Sequence, residues 1–311
     1  MTPSSTPGVA VVPANDPGIA DAIRRGGGVV VPLEEADAIV WLDPRSPHRL
    51  KDALAHSRAR WVQLPFAGIE AFVEAGVIGP ERTWTCAKGV YGPATAEHAL
   101  TLILAAARGL DRHLRATTWQ DDGLSAPERR LMDATILIVG TGGVGAALAT
   151  MLMPLGPRIL GVNRSGKPLL NAERTASIQE LASLLPDADF VVLAAPLTVQ
   201  TRGLFDEAML RLMKPGAWLI NVARGGLVMT EALVTVLMEG QLGGAALDVT
   251  DPEPLPDGHP LWTMGNVIVT PHVANTWAMG LRSLTQMVQD NVARFAAGEE
   301  LAGVVDPDAG Y

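Results

Sequence analysis

A single cysteine, Cys86, stands in a chain of 311 residues, which rules out an internal disulfide and a cysteine-based metal site. A lone cysteine of this kind reads as a small buried residue rather than a catalytic thiol. Basic residues are also in short supply: 24 Lys and Arg against 33 Asp and Glu give a formal net charge of −9. An acidic balance argues against non-specific nucleic-acid binding, which needs a basic surface to release phosphate counterions. It leaves room for a small anionic substrate, because a few arginines in a cleft decide that locally. The apolar stretches are too short or too interrupted to span a bilayer, so no membrane partner is expected. The opening MTPSSTPGVAVVP lacks the basic start and long apolar core of a secretory signal, and the expectation is a cytoplasmic protein. No His/Asp/Glu spacing suggests a metal, and neither a low-complexity tract nor an internal repeat beyond two α/β series is apparent.

What is present points to an ordered enzyme-sized chain. Hydrophobic residues make up 48% and charged residues 18%, enough for buried cores in roughly two domains of about 150 residues each. Short β-branched runs at Val9–Pro13, Val29–Pro32, Ala38–Asp43, Arg60–Pro65 and Thr83–Ala87 alternate with helical segments at Pro17–Arg25, His48–His56 and Ile69–Ala75. Continuous Val/Ile runs suit parallel strands covered on both faces. After Pro93, Thr95–Arg108 reads as a helix apolar nearly all round from Ala99 to Ala107, hence buried. A loop with Gly123 and Pro127 leads to six more expected strands, Thr135–Val139, Arg158–Asn163, Phe190–Ala194, Trp218–Val222, Gly244–Asp248 and Val267–Thr270, with helices between most of them. A last amphipathic segment, Ala278–Ala297, is free to pack back on the first domain. The expected fold is α/β with two Rossmann-like domains: a doubly wound parallel-sheet dinucleotide-binding domain over 93–275 and a smaller flavodoxin-like substrate domain over 1–92, rejoined by 276–311.

Gly140-Thr141-Gly142-Gly143-Val144-Gly145 sits directly after the strand TILIV and before a helix. Among 32 glycines a bare G-x-G-x-x-G says little, but strand–turn–helix context makes it a phosphate loop. Gly140 permits the tight turn, Gly142 admits the pyrophosphate, and Gly145 lets helix and strand pack closely, with free N–H donors at the helix start. An NAD site would place an Asp or Glu about 20 residues further on. The strand RILGV ends instead in Asn163-Arg164-Ser165-Gly166-Lys167, a set suited to a 2′-phosphate, so NADP is preferred and NAD stays open.

From Lys214 onward the chain contains KPGAWLINVARGGLV, ALDVTDPEPLP, HPLW and VIVTPHVA. With these segments it resembles the D-isomer-specific 2-hydroxyacid dehydrogenase family, from about Trp61 to Trp277, and ALDVTDPEPLPDGHPLW is most similar to the hydroxypyruvate and glyoxylate reductase branch. The resemblance implies a catalytic triad of Arg224, Glu253 and His272. Each role makes chemical sense. Arginine's fork can grip a 2-keto acid's carboxylate and polarise its carbonyl; histidine can give and retake a proton near neutrality; and a buried carboxylate would hold the imidazole and raise its pKa. The resemblance, which places the triad Glu five residues after Asp248, implies Glu253 rather than Asp251. By the same resemblance, Asp248 lies near the nicotinamide, Ala195-Pro196-Leu197 and Val222-Ala223 flank the cofactor, and backbone N–H groups at Ala67 and Gly68 receive the substrate carboxylate alongside Arg224 and His272.

The implied activity is NAD(P)H-dependent reduction of a small 2-keto acid to a D-2-hydroxy acid, in a homodimer joined through the Thr95–Arg108 helix. Two other readings stay open: an NAD-linked enzyme such as a phosphoglycerate dehydrogenase, and a dinucleotide-sensing protein without turnover. His98, in the AEHAL helix, and His259, before Leu261 and Trp262, read as structural or loop residues. The chain departs from the family at Asn275-Thr276-Trp277, where Trp277 either caps the substrate cavity or packs between domains.

Overall fold

The computed structural model describes residues 6–119 and 128–306, and the chain divides into two compact units, residues 1–91 with 277–311 and residues 92–276. The expected loop at Gly123 and Pro127 falls outside the described residues.

In the first unit, β1 (Gly8–Val12), β2 (Val29–Val30), β3 (Ala38–Trp41), β4 (Trp61–Gln63) and β5 (Thr83–Thr85) form a parallel sheet in the order β2-β1-β3-β4-β5. Helices α1 (Pro17–Arg25), α2 (Pro47–Ala55) and α3 (Glu70–Glu74) connect them. Sequence chemistry sets the ends. Asp16 accepts the Ile19 N–H at 3.0 Å and Pro17 opens the first turn of α1, since proline's missing N–H is one the helix start leaves unpaired anyway. The second strand is shorter than its apolar run because Pro32 brings no N–H to the ladder.

The second unit begins with α4 (Gly92–Ala107) and α5 (Leu110–His113). It continues through β6 (Thr135–Val139), α6 (Gly143–Leu152), β7 (Arg158–Asn163), β8 (Arg174–Ser177), α7 (Leu181–Leu184), β9 (Phe190–Leu193), α8 (Glu207–Leu212), β10 (Trp218–Asn221), α9 (Thr230–Met238), β11 (Gly244–Leu247) and β12 (Val267–Val269). The sheet has seven parallel strands, not six, in the order β12-β11-β10-β9-β6-β7-β8. The additional strand, β8, has the sequence RTAS and lies at the edge, where one side of each backbone needs no partner and no apolar run marks it.

Alternate residues of each central strand enter opposite cores. Leu137, Val139, Val191, Leu193 and Leu219 join one cluster with residues of α7, α8 and α9. Ile136, Ile138, Phe190, Val192 and Ile220 join the other with α4 and α6. This period of two explains why these strands read as unbroken apolar runs. The α4 helix is not buried all round as its composition suggests: Ala99, Leu102, Ile103, Ala106 and Ala107 face the core, while Thr101 and Leu104 face outward. Its start crosses that of α6 so closely that a Cβ on Gly92 would meet the Gly143 carbonyl oxygen at 2.7 Å. At the opposite end of the sheet from the strands' carboxyl tips, Asp189 accepts Arg129 Nη1 and Lys214 Nζ at 2.8 Å each and the Thr135 N–H at 2.9 Å.

The helix α10 (Trp277–Ala297) belongs to the first unit and lies against α1, where Gly26 makes room: a Cβ there would meet the Gln289 carbonyl oxygen at 2.5 Å. Leu284, Val288 and Val292 complete the core around Val9, Ile19 and Ile23. A buried polar chain ties the helix to the sheet. Trp61 Nε1 donates to Thr85 Oγ1, Thr85 Oγ1 to Gln63 Oε1, and Asn291 Nδ2 to the same Gln63 oxygen and to the Ala302 carbonyl. Residues 303–305 then run antiparallel beside β5.

Candidate active site

The strand order reverses at β6, whose neighbours are β7 and β9, and ligands of open α/β sheets sit beyond the strand tips at such a point. The glycine loop lies there. Gly140 has φ +102° and a Cβ on it would meet the Ala195 nitrogen at 2.4 Å; a Cβ on Gly145 would meet the Gly140 carbonyl oxygen at 2.1 Å. Those two glycines are therefore required by the chain's own packing. Gly142 differs, with nothing within 4 Å of where its Cβ would be. It leaves bare backbone at the first turn of α6, whose opening N–H groups, at Gly143 and Val144, have no partner within the helix and stand at the positive end of its dipole. This donor set fits a diphosphate.

At the tip of β7 the structure separates Asn163 from its neighbours. Asn163 Nδ2 donates to Thr141 Oγ1 at 2.8 Å and to the Lys167 carbonyl at 2.7 Å, and its Oδ1 accepts the N–H groups of Ser165 and Lys167. Its amide organises the turn and joins it to the glycine loop, and its polar atoms are engaged within the protein. Arg164, Ser165 and Lys167 are exposed on that turn, with no carboxylate at the strand's tip. Ala195, Pro196 and Leu197 follow β9, in a loop closed by Thr201 Oγ1 donating to the Pro196 carbonyl at 2.7 Å.

Arg224 follows β10 just after the buried Val222 and Ala223. Asn221, 1% exposed, clamps this corner by donating to the Arg224 carbonyl at 2.9 Å and accepting the Ala223 N–H at 3.1 Å. The next residue fixes where the corner lies. A Cβ on Gly225 would fall 1.9 Å from the Thr250 carbonyl oxygen and 2.6 Å from the Asp251 nitrogen, so only glycine lets the two segments cross. The segment that crosses there carries Glu253.

Glu253 Oε1 stands 2.6 Å from His272 Nδ1, leaving Nε2 of the ring to face outward chemistry. The hydrogen bond to Glu253 raises the His272 pKa, burial opposes it, the carboxylate's charge adds to the rise and the nearby Arg224 guanidinium counters it. The same hydrogen bond holds Glu253 below the usual carboxylate range. Glu253 is not the buried carboxylate expected: its side chain is 43% exposed and that of His272 50%. The strength of the pair comes from its short, charge-assisted bond rather than from a dry surrounding.

Asp248 is 2% exposed, and its carboxylate is fully occupied inside the protein. Oδ1 accepts Thr270 Oγ1 at 2.6 Å and the Val273 N–H at 2.9 Å, and Oδ2 accepts the Ala274 N–H at 3.0 Å. Its own carbonyl takes the His272 N–H at 2.8 Å. Burial alone would raise this carboxyl, yet bonds from His98, Thr270, Val273 and Ala274 hold it below the usual range. The sequence alone marks neither contact: His98 reads there as a structural residue and Thr270 only as the end of a strand. Thr270 was one threonine beside a proline, and His98 one histidine in an apolar helix.

In the first unit, Ala67 and Gly68 follow β4 in an exposed turn, and no acceptor pairs with their backbone N–H groups among the described residues. Phe66 beside them stacks at 6.0 Å on both Tyr91 and Trp277, and Tyr91 donates its hydroxyl to the Pro65 carbonyl at 2.6 Å. His259 caps a short turn by accepting the Leu261 N–H; Leu261 is buried, whereas Trp262 is 42% exposed and packs less than its bulk suggests. Among the described residues no cluster of His, Cys, Asp and Glu is arranged to hold a metal ion, and no helix is long and apolar enough to cross a membrane.

Residues 100–274 match the NAD binding domain of the D-isomer specific 2-hydroxyacid dehydrogenases. An uncharacterised protein encoded in the proB 3′ region of Corynebacterium melassecola is 42% identical over 305 residues, 93% of this chain and 95% of its own length. The glyoxylate reductase of Pyrococcus furiosus is 37% identical over 214 residues, 66% of this chain; the match spans 63% of that enzyme's length. Among solved structures, the NADPH-dependent glyoxylate/hydroxypyruvate reductase of Sinorhizobium meliloti, in complex with NADP and sulfate, superposes with a TM-score of 0.82 at 26% identity, covering 99% of this chain and all of that one.

Proposed function

The chain belongs to the D-isomer-specific 2-hydroxyacid dehydrogenase family, oxidoreductases acting on CH–OH groups, and from that premise we propose that it reduces a small 2-keto acid of the glyoxylate or hydroxypyruvate type to the D-2-hydroxy acid with NADPH. The observation that carries the reading is the short Glu253–His272 bond at a strand tip, beside the Arg224 corner. A bound dinucleotide would supply the hydride. Arg224 grips the substrate carboxylate and polarises the keto oxygen. His272, kept charged by Glu253, gives its Nε2 proton to that oxygen as charge develops on it. By the family resemblance, the N–H groups of Ala67 and Gly68 are proposed as a carboxylate-binding turn of the first unit.

The cofactor assignment places the diphosphate on the backbone of Gly140, Thr141, Gly142, Gly143, Val144 and Gly145 and the 2′-phosphate on Arg164 and Ser165. Asn163 acts by shaping that turn, while Ala195, Pro196, Leu197, Val222 and Ala223 flank the cofactor. The absence of a carboxylate after β7 supports NADP, and so does the NADP bound by the Sinorhizobium enzyme. We also propose a homodimer, with the exposed Leu104, Leu110, Leu114 and Trp119 along one stretch of chain as its candidate apolar contacts. The direct test is initial-rate reduction of glyoxylate and hydroxypyruvate with NADPH and NADH in parallel. Turnover preferring NADPH is expected. Preference for NADH would overturn the Arg164 assignment alone, and tight dinucleotide binding without turnover would overturn the enzyme reading.

A further inference from the structure

Resting on the reading of His272 as proton donor, we propose that His98 is a positioning residue for it, acting through Thr270 and Asp248. The four residues come from three separate places in the second unit: His98 from the second turn of α4, Asp248 from the tip of β11, and Thr270 and His272 from just beyond β12. His98 Nε2 lies 3.0 Å from Thr270 Oγ1 and 3.3 Å from Asp248 Oδ1.

Proton counting sets the direction of this chain. Thr270 has one hydroxyl proton, and it goes to Asp248 Oδ1 at 2.6 Å. Its oxygen can therefore only accept from His98, which requires a proton on Nε2 of that ring. The single Nε2 proton of His98 is thus shared between Thr270 Oγ1 and, at the longer 3.3 Å, Asp248 Oδ1, whose carboxylate also takes the N–H groups of Val273 and Ala274 while its carbonyl takes that of His272. One residue receives three successive backbone donors.

Those three donors flank an unfavourable backbone. His272 has φ +54°, one of two non-glycine residues with positive φ among those described. A residue with a side chain is held there only when its surroundings dictate it. The Asp248 clamp dictates it, and with it the direction in which the imidazole leaves the chain to reach Glu253. Without the donor at position 98, Asp248 Oδ1 loses a partner in a 2% exposed setting and the clamp loosens. Misplacement of a proton donor by about 1 Å is enough to cost on the order of a hundredfold in rate. The charged groups acting on His272 are Glu253, Arg224 and Asp248, and His98 touches only the last.

The test compares His98→Leu, which removes the donor, with His98→Gln, whose amide restores one. The readouts are kcat and KM with NADPH and a keto acid across pH, and the imidazole titration of His272 by NMR. The leucine variant should lose at least about tenfold in kcat at unchanged KM for NADPH. Its His272 titration should move to lower pH as the Glu253 contact loosens, and the glutamine variant should recover most of both. A leucine variant that keeps kcat and the His272 titration and loses only melting temperature overturns the proposal. So does a glutamine variant as impaired as the leucine one. If the leucine variant does not fold, Thr270→Val interrupts the same chain and is read the same way. The NMR titration needs no turnover, so an enzyme inactive on every keto acid would refute the proposed reaction while still reporting whether His98 positions His272.

Discussion

Replacing Gly225 with alanine should inactivate the protein while sparing its hold on the dinucleotide. The added Cβ would sit 1.9 Å from the Thr250 carbonyl oxygen, 2.0 Å from its carbon and 2.6 Å from the Asp251 nitrogen, all backbone atoms that cannot rotate away. Ordinary contact needs about 3.4 Å, so the two segments must part by about 1.5 Å. One segment carries Arg224 and the other carries Glu253, which holds His272 at 2.6 Å. A shift of about 1 Å between reacting groups costs on the order of a hundredfold, and that is about 2.7 kcal/mol of transition-state stabilisation. The expected kcat/KM for keto-acid reduction is therefore at least about a hundredfold below wild type. The glycine loop lies after a different strand, so the dissociation constant for NADPH, read by fluorescence quenching, should change less than about threefold. Retained dinucleotide binding also shows that the second unit has folded. A Gly225→Ala enzyme with activity within a few-fold of wild type would refute the argument that this crossing sets the geometry of the site.

Glu253→Gln should shift the pH profile in a stated direction. Reduction needs the charged His272, so its rate falls as pH rises through that residue's raised pKa; without the carboxylate the pKa drops and the falling limb of kcat moves to lower pH. Arg164→Ala should raise KM for NADPH about tenfold or more and leave KM for NADH nearly unchanged, since only the former carries the phosphate that the guanidinium would hold. Asp189→Asn should cost about 1–3 kcal/mol in urea unfolding at pH 7, the lower end being favoured because Arg129 and Lys214 are 39% and 45% exposed. Burial would raise the Asp189 carboxyl, but Lys214, the Thr135 N–H and Arg129 depress it overall. Its stabilising contribution is thus present above the unfolded carboxylate value and lost as pH falls through the folded one, so variant and wild type should converge in acid.

Much of this was legible because the informative residues are local. Gly140, Gly142 and Gly145 are recognised by their spacing between a strand and a helix, whereas Arg224, Glu253 and His272 are singled out by the family resemblance of the segments that carry them. The residues that escaped act at long range. His98 and Thr270 are 172 positions apart, and neither has neighbours in sequence that suggest a partner. The β8 strand escaped for another reason: at a sheet edge, RTAS needs backbone pairing with β7 but no apolar face. Asn163 looked like a cofactor ligand because its type suits one, and only coordinates show its amide already engaged.

The first unit is made from both ends of the chain, which has a consequence for how the protein is born. Val9, Ile19 and Ile23 leave the ribosome more than about 250 residues before Leu284, Val288 and Val292, which cover them. At roughly 5–20 residues per second, the wait is of the order of fifteen to fifty-five seconds. During it the intervening unit, 92–276, has everything it needs to close its own cores, while the leading segment holds an unfinished sheet with one apolar side bare. Synthesis therefore passes through a stage in which one unit can close its cores while the other holds bare apolar surface, the kind of surface that makes folding intermediates prone to aggregate.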